Sequence, residues 1–252
     1  MHRDYRSNDD NLVAGRNAVS ELLRSGREID RILIEKGRRD GSLSVLLAKA
    51  ADQGIPIKET ARQKLDALCP ETNHQGVVAY AAMTEYVTVA DILAEAARRG
   101  EPPFIVVCDE IEDPHNLGAI IRTAECCGVH GVILPKRRSC GVNFAVSKAA
   151  CGALEYMKIA RVTNLVSALE ELKAAGVWVY AADMDGVDYD SRDYRGPAAL
   201  VVGSEGRGVG RLVKETCDIT VSLPMKGHIT SLNASVAAGV LLYRMARDRK
   251  ID

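Results

Sequence analysis

SLPMKGHITSLNASVAAGVLLYRM, residues Ser222 to Met245, holds a strand, a turn and a helix in one short stretch. The strand ends at Pro224, a Met-Lys-Gly turn follows, and a polar cluster of Thr230, Ser231 and Asn233 leads into an apolar helix. Thr230 or Ser231 reads as the N-cap, because a hydroxyl there accepts an amide proton that the first helical turn leaves unpaired. Ala234, Ser235, Ala237, Ala238 and Gly239 are small, so another backbone can pack close against this helix. A helix N-terminus behind a Gly-containing loop also presents free N–H groups and a positive dipole end to a polar ligand group. A plain capped core helix satisfies the same residues, so the stretch alone leaves both readings open.

Outward from it, strands and helices alternate. Strands are predicted at 104–109, 130–134, 156–160, 177–182, 198–202 and 219–223, and helices at 116–127, 145–153, 163–175 and 230–247. Near-continuous apolar runs such as FIVVC and ALVV suit parallel strands buried on both faces. Glycine spacing excludes a dinucleotide site: the first strand runs into Asp109-Glu110-Ile111-Glu112-Asp113, with no G-x-G-x-x-G. The Gly-rich turn Gly203–Gly210 follows a late strand and lacks the P-loop Lys-Ser/Thr, so an NTPase reading is equally unsupported.

Three ordered motifs carry a resemblance. LPMKGHITSLNASVAAG is similar to the third signature motif of the SpoU (TrmH-like) RNA 2′-O-ribose methyltransferases of the SPOUT superfamily. DEIEDPHNLGAIIRTA (Asp109–Ala124) resembles the first, and LVVGSEGRGV (Leu200–Val209) the second. Within the family the chain looks most like the type that methylates a guanosine ribose in 23S ribosomal RNA. Ala234 stands where the family more often has Val, a matter of packing. The resemblance implies an α/β fold: a C-terminal domain with a parallel sheet and a deep trefoil knot, a topology no connection rule would produce. It further implies S-adenosyl-L-methionine bent in the loops of the knot and a site completed across a homodimer.

By the same resemblance, Asn116, Arg122, Glu205, Ser231 and Asn233 form the catalytic set, and Gly203, Ser204, Gly206, Leu223, Met225, Gly227 and Leu232 hold the cofactor. Glycines let backbone groups approach a ligand closely, and Leu223, Met225 and Leu232 are apolar walls for an adenine. Asp113-Pro114 is a helix-start signal, and Asn116 and Arg122 lie six apart on that helix, roughly on one side. Arg122 sits among Leu117, Ala119, Ile120, Ile121 and Ala124. A buried charge there needs a partner, either an RNA phosphate or an ion pair with Glu205. Guanidinium keeps its proton to above about pH 12, so Arg122 is expected to position a phosphate rather than act as a literal base.

The region before residue 83 reads as a separate compact α/β unit. Val19, Leu22 and Leu23 mark one helical face, Ile32–Ile34 a buried strand, Leu43, Leu46, Leu47 and Ala50 a second helical stripe, and Gly76–Tyr80 a closing strand. It resembles the ribosomal-protein-like RNA-binding domain these enzymes often carry in front. Arg16, Asn17, His74 and Gln75 are thereby candidates near RNA, although Asn73–Gly76 also reads as a plain turn. Expected boundaries are a mobile tail at 1–10, a substrate-binding domain at 11–82, a linker with one short helix at 83–103, and the methyltransferase domain at 104–252.

Net charge of −1 denies the chain the basic signature usual in nucleic-acid binders. Charge is uneven, however. Lys136, Arg137, Arg138, Lys148, Lys158 and Arg161 face only Glu155, and Lys136–Arg138 are candidate phosphate contacts. Asp183, Asp185, Asp188, Asp190 and Asp193 read as an acidic surface loop, without the full calcium-loop pattern. Seven cysteines without a C-x-x-C pair argue against a disulfide framework and a metal site, and point to a reducing compartment. With a polar start and no apolar run of bilayer-spanning length, the expectation is a cytoplasmic enzyme acting on RNA, ribosomal RNA before transfer RNA, with no membrane and no metal. A non-catalytic ribosome-assembly factor on the same fold is the competing reading. It has no need of the five-residue polar set.

Overall fold

The computed structural model describes residues 11–26, 28–38, 40–70, 73–82 and 85–249. The tail expected at 1–10 lies outside them. By their contacts the described residues fall into two units, those before residue 84 with Val142–Phe144, and the remainder.

The first unit runs β1 (Leu12–Ala14), α1 (Arg16–Arg24), β2 (Ile29–Glu35), α2 (Gly41–Asp52), β3 (Ile57–Thr60), α3 (Arg62–Leu68) and β4 (Val77–Ala81). Its sheet has the order β1-β4-β2-β3, antiparallel except for β2 beside β3. All five residues of β4 are buried, and Val19, Leu43 and Leu46 pack on the sheet from α1 and α2. Residues spaced at the helical period thus meet a central strand that is apolar on both faces.

The second unit continues with α4 (Val89–Arg99), β5 (Phe104–Cys108), α5 (Pro114–Cys126), β6 (Gly131–Pro135), α6 (Phe144–Ala150), β7 (Lys158–Val162), α7 (Leu165–Ala174) and β8 (Trp178–Asp188). It ends with β9 (Ala198–Val202), α8 (Arg211–Thr216), β10 (Ile219–Ser222) and α9 (Ala234–Asp248). The six strands form one parallel sheet in the order β10-β8-β9-β5-β6-β7. The α/β class with a buried parallel sheet is as expected, every residue of β5 and β9 being buried.

That order positions the site. From β5 the chain steps outward through β6 and β7, then crosses back to place β9 on the other side of β5. The direction in which the chain adds strands across the sheet therefore reverses between β5 and β9, although the strands themselves stay parallel. In open α/β sheets ligands bind beyond the carboxyl ends of strands at such a point. Cys108 pairs with Val202 in register, which sets the segments following β5 and β9 side by side.

Three local expectations are corrected. The helix expected from 230 begins at Ala234, capped by Asn233, whose Oδ1 accepts from the amides of Ser235 and Val236 at 3.0 and 3.3 Å. Asn outcompetes the hydroxyls of Thr230 and Ser231 because its amide is also anchored from the other side, as shown below. The aspartate run expected as a surface loop partly continues β8, which reaches Asp188 beside β10. Finally, α4, read as part of a linker, packs into the second unit's core: Ile92 is fully buried, and a Cβ on Gly131 would come within 2.6 Å of it. Among the described residues no helix is long and apolar enough to cross a membrane.

Candidate active site

Glu205 is the meeting point. Asn116 Nδ2 donates to Glu205 Oε1 at 2.9 Å, Asn233 Nδ2 donates to the same oxygen, and Asn233 Nδ2 also reaches Asn116 Oδ1 at 2.9 Å. Each residue comes from a different local device. Asn116 is in the first turn of α5, which Asp113 caps by accepting the His115 amide at 2.7 Å with Pro114 at the first helical position. Glu205 rides a tight loop after β9, and Asn233 caps α9. The three loops that the sequence motifs occupy converge on one carboxylate oxygen.

The Glu205 loop is built by glycine. Ser204 and Gly208 exchange backbone hydrogen bonds at 3.1 and 2.9 Å, closing a loop in which Gly206 and Gly208 have φ of 85° and 66°. A Cβ on Gly203 would lie 2.0 Å from the Gly208 carbonyl carbon, so no side chain fits there. Asp109, just past β5, holds the loop's far end: its carboxylate accepts the Gly210 amide at 2.7 Å. Burial raises the Asp109 pKa above the ordinary carboxylate range. Nothing in its residue type announced this role, although it opens the first motif.

Beside this cluster lies a cavity of about 530 Å³ whose walls include Gly203, Ser204, Gly206, Leu223, Met225 and Leu232. Ser231 and Asn233 also border it, as do Asp183 and Met184 in the middle of β8; Asp183 was expected only as part of an acidic surface loop, and Met184 was not singled out. Gly227 is exposed and is not part of the wall. A smaller cavity of about 270 Å³, bordered by Glu110, Glu112, Asp113 and Asn116, shares Ser204, Glu205 and Arg207 with the larger one.

Arg122 stands apart from the carboxylate cluster. Its side chain is exposed rather than embedded, because the apolar neighbours in sequence point to the opposite face of α5, where Leu117, Ile120, Ile121 and Ala124 are buried. Its guanidinium donates to Cys151 Sγ at 3.4 Å. Among the described residues it makes no ion pair with Glu205 or any other carboxylate, so the salt-bridge alternative fails.

The nucleic-acid candidates differ among themselves. Arg16 is committed to Asp40 through both terminal nitrogens, at 2.5 and 2.7 Å, and to Ser42 and the Gln75 carbonyl. His74 is buried, its Nε2 2.9 Å from Asp66 and its Nδ1 accepting the Gly76 amide at 3.0 Å, so it braces the turn before β4. Asn17 and Gln75 are exposed. Beyond β6, Arg137 is exposed, Lys136 half-buried, and Arg138 pairs with Glu110 at 3.0 Å. All seven cysteines are free thiols, and burial pushes Cys108 up to about 12. Among the described residues no group of three or more His, Cys, Asp or Glu side chains is placed to hold a metal ion.

Comparison with known proteins adds the class. Residues 103–243 match the model of the SpoU rRNA methylase family, and residues 12–87 match that of the RNA 2′-O ribose methyltransferase substrate-binding domain. A putative TrmH family tRNA/rRNA methyltransferase, YacO, of Bacillus subtilis (strain 168) is 46% identical over 244 residues, covering 96% of this chain and 98% of its own. The AdoMet-bound rRNA methyltransferase from Sinorhizobium meliloti superposes with a TM-score of 0.59 at 27% identity, covering 94% of this chain and 86% of its own. The A. aeolicus TrmH/SpoU tRNA modifying enzyme gives 0.54 at 30% identity, over 64% of this chain and 84% of its own. The chain belongs to the SpoU rRNA methylase family and is a TrmH-like RNA methyltransferase.

Proposed function

We propose that this enzyme transfers a methyl group from S-adenosyl-L-methionine to a ribose 2′-hydroxyl of ribosomal RNA, large-subunit RNA and a guanosine being favoured. The observation that carries the reading is the Asn116–Glu205–Asn233 cluster at the lip of a glycine-walled cavity. The cavity fits the cofactor: Gly203, Gly206 and Gly208 leave main-chain groups on its wall open to a ligand, and Leu223, Met225 and Leu232 offer apolar walls for an adenine. The bound cofactor supplies an activated methyl group for in-line displacement.

The chain's own residues then orient the acceptor. Glu205 fixes the rotamers of Asn116 and Asn233, so their amides stand in one arrangement before RNA binds. Arg122, exposed and with no carboxylate partner among the described residues, is placed to take the phosphate beside the target ribose. Ser231, exposed at the cavity edge, supplies a hydroxyl for the 2′-oxygen or the guanidinium. Arg137 and Lys136 extend the cationic surface, and Asn17 and Gln75 are the exposed RNA candidates of the first unit.

Preference for ribosomal RNA is supported by coverage. The rRNA methyltransferase from S. meliloti aligns over nearly the whole chain, whereas the tRNA enzyme from A. aeolicus aligns over under two thirds. A homodimer, with a knotted C-terminal segment, is part of the proposal. Val236, Val240 and Tyr243, spaced along one side of α9, are 50, 41 and 59% exposed, an apolar stripe suited to a second copy. A substrate-binding domain at 11–82, a methyltransferase domain that takes in α4 as well as 104–252, and a reducing, cytoplasmic setting complete it.

The test is transfer of labelled methyl from S-adenosyl-L-methionine to ribosomal RNA from a strain lacking the gene, with wild type and Arg122→Ala in parallel. Label in a 2′-O-methyl nucleotide with wild type alone supports the reading. Label in transfer RNA only moves the substrate, and RNA binding without any transfer favours an assembly factor.

A further inference from the structure

Asp183 occupies an unusual place in the larger cavity. Its neighbours on the walls are mostly apolar or glycine, and the other charged residues there are Glu205 and Arg207. Glu205 is occupied by two amides at one oxygen, and the Arg207 side chain is 83% exposed. Asp183 is 20% exposed at its side chain and fixed from two directions: Oδ2 lies 3.0 Å from Lys214 Nζ, and Oδ1 accepts the Met184 amide at 2.6 Å. It also backs onto the glycine loop, since a Cβ on Gly208 would sit 3.4 Å from Oδ2. An ionised carboxylate has about four acceptor sites. Two are used, which leaves acceptor capacity on a rigid group at a cavity wall.

An adenosine-type ligand brings a vicinal diol as well as a base. In an apolar cavity those hydroxyls lose water and need acceptors, and a fixed carboxylate meets a ribose diol with matched geometry, as in dinucleotide sites of unrelated fold. We infer that Asp183 is the ribose-reading residue of the cavity, accepting hydrogen bonds from the 2′- and 3′-hydroxyls of the cofactor, and that Lys214 holds it in place. The inference rests on the cofactor proposed above. It concerns the cofactor's ribose, not the RNA ribose that receives the methyl group.

Titration calorimetry on the full chain tests it, with S-adenosylhomocysteine, 5′-methylthioadenosine and 2′-deoxy-5′-methylthioadenosine as probes. Wild type should bind the deoxy probe about 10- to 100-fold more weakly than its parent. Asp183→Ala should weaken both full-diol probes by a similar factor and weaken the deoxy probe, which keeps its 3′-hydroxyl, by clearly less. It should so bind the deoxy probe and its parent nearly alike, the non-additivity expected of directly contacting groups. Asp185→Asn, which removes Lys214's other partner 2.5 Å away, should bind all three as wild type does. If Asp183→Ala does not fold, Asp183→Asn is used, with its melting temperature as the check and a loss of about tenfold expected. Undiminished binding by the Asp183 variants, retained deoxy discrimination, or a loss confined to S-adenosylhomocysteine would overturn the inference, the last by moving the contact to the amino-acid end. Failure of S-adenosylhomocysteine to bind wild type would instead overturn the cofactor reading, and this inference with it.

Discussion

Asn233 divides its amide between two tasks: the oxygen caps α9, and the nitrogen reaches Asn116 Oδ1 at 2.9 Å across 117 positions of sequence. Its orientation is therefore fixed, oxygen toward the helix and nitrogen toward Glu205. Asn233→Asp keeps the capping oxygen, which the helix dipole favours, but turns a second carboxylate oxygen against Glu205. Thermal stability should change by no more than about 1 kcal/mol, while methyl transfer at neutral pH should fall on the order of 100-fold as the cluster is pushed apart. Asn233→Ala should lose both the cap, at about 1 kcal/mol, and activity. Calorimetric melting beside single-turnover transfer separates the two, and an active Asn233→Asp would deny the cluster its role.

The parts of this site that were legible in the sequence are those where backbone chemistry leaves one choice of residue. Gly203 could be read because only glycine tolerates backbone at 2.0 Å from its Cβ position. Thr230, Ser231 and Asn233 are all good caps by type, so the true cap was not legible: a tertiary bond to Glu205 selects it. Arg122 looked buried because its neighbours are apolar, yet those neighbours occupy the other face of one helix. His74 looked like an exposed turn residue, and its burial depends on Asp66 from α3. Asp183 was hidden in an aspartate run because β8 is buried only at residues 179–181 and its remaining polar stretch carries no alternation signal. The crossover that places β9 beside β5 leaves no local mark at all.

Asp109 offers a test at the rear of the glycine loop. Because burial raises its pKa, its contribution to stability is fully present below the ordinary value of 3.8 and is lost as pH rises through the folded value. At neutral pH the ion is a cost that the Gly210 bond only partly offsets. Asp109→Asn keeps an acceptor for that amide without the charge, so stability at pH 7 should hold or rise. Asp109→Ala leaves the amide unpaired and should lose about 1–3 kcal/mol. Denaturant melts of both variants at pH 7 check this, and equal losses would refute it.

His130 has the opposite sign. It is 1% exposed, its Nδ1 accepts the Phe104 amide at 3.0 Å, and its Nε2 lies 2.9 Å from Glu101. The neutral Nε2–H tautomer satisfies both bonds, and burial lowers the pKa. The contribution of neutral His130 is thus complete above the ordinary value of 6.5 and is lost as pH falls from there through the lower folded value. Melting temperature should decline as pH is lowered below 6.5, and His130→Gln should melt lower at pH 8 with a flatter slope below it. A variant slope as steep as wild type's would assign the decline to other groups.

Gly118 sets how closely α6 approaches the helix that carries both Asn116 and Arg122. A Cβ at Gly118 would come within 2.5 Å of Ala149 Cβ and 2.7 Å of the Val146 carbonyl oxygen. One contact is with backbone and the other with a Cβ, which no rotamer can move, so relief requires the helices to separate. Gly118→Ala raises intrinsic helix propensity by about 1 kcal/mol, and overpacking costs about 1–3 kcal/mol, so a net loss of stability is expected. The functional effect should be larger than the loss of stability suggests, because Arg122 donates to Cys151, which directly follows α6, and separating the helices moves donor from acceptor. Gly118→Ala should therefore keep its affinity for S-adenosylhomocysteine within about threefold while its single-turnover methyl transfer drops at least tenfold, a 1 Å displacement being enough for such a loss. Equal falls in affinity and transfer would instead mean that the whole domain had loosened.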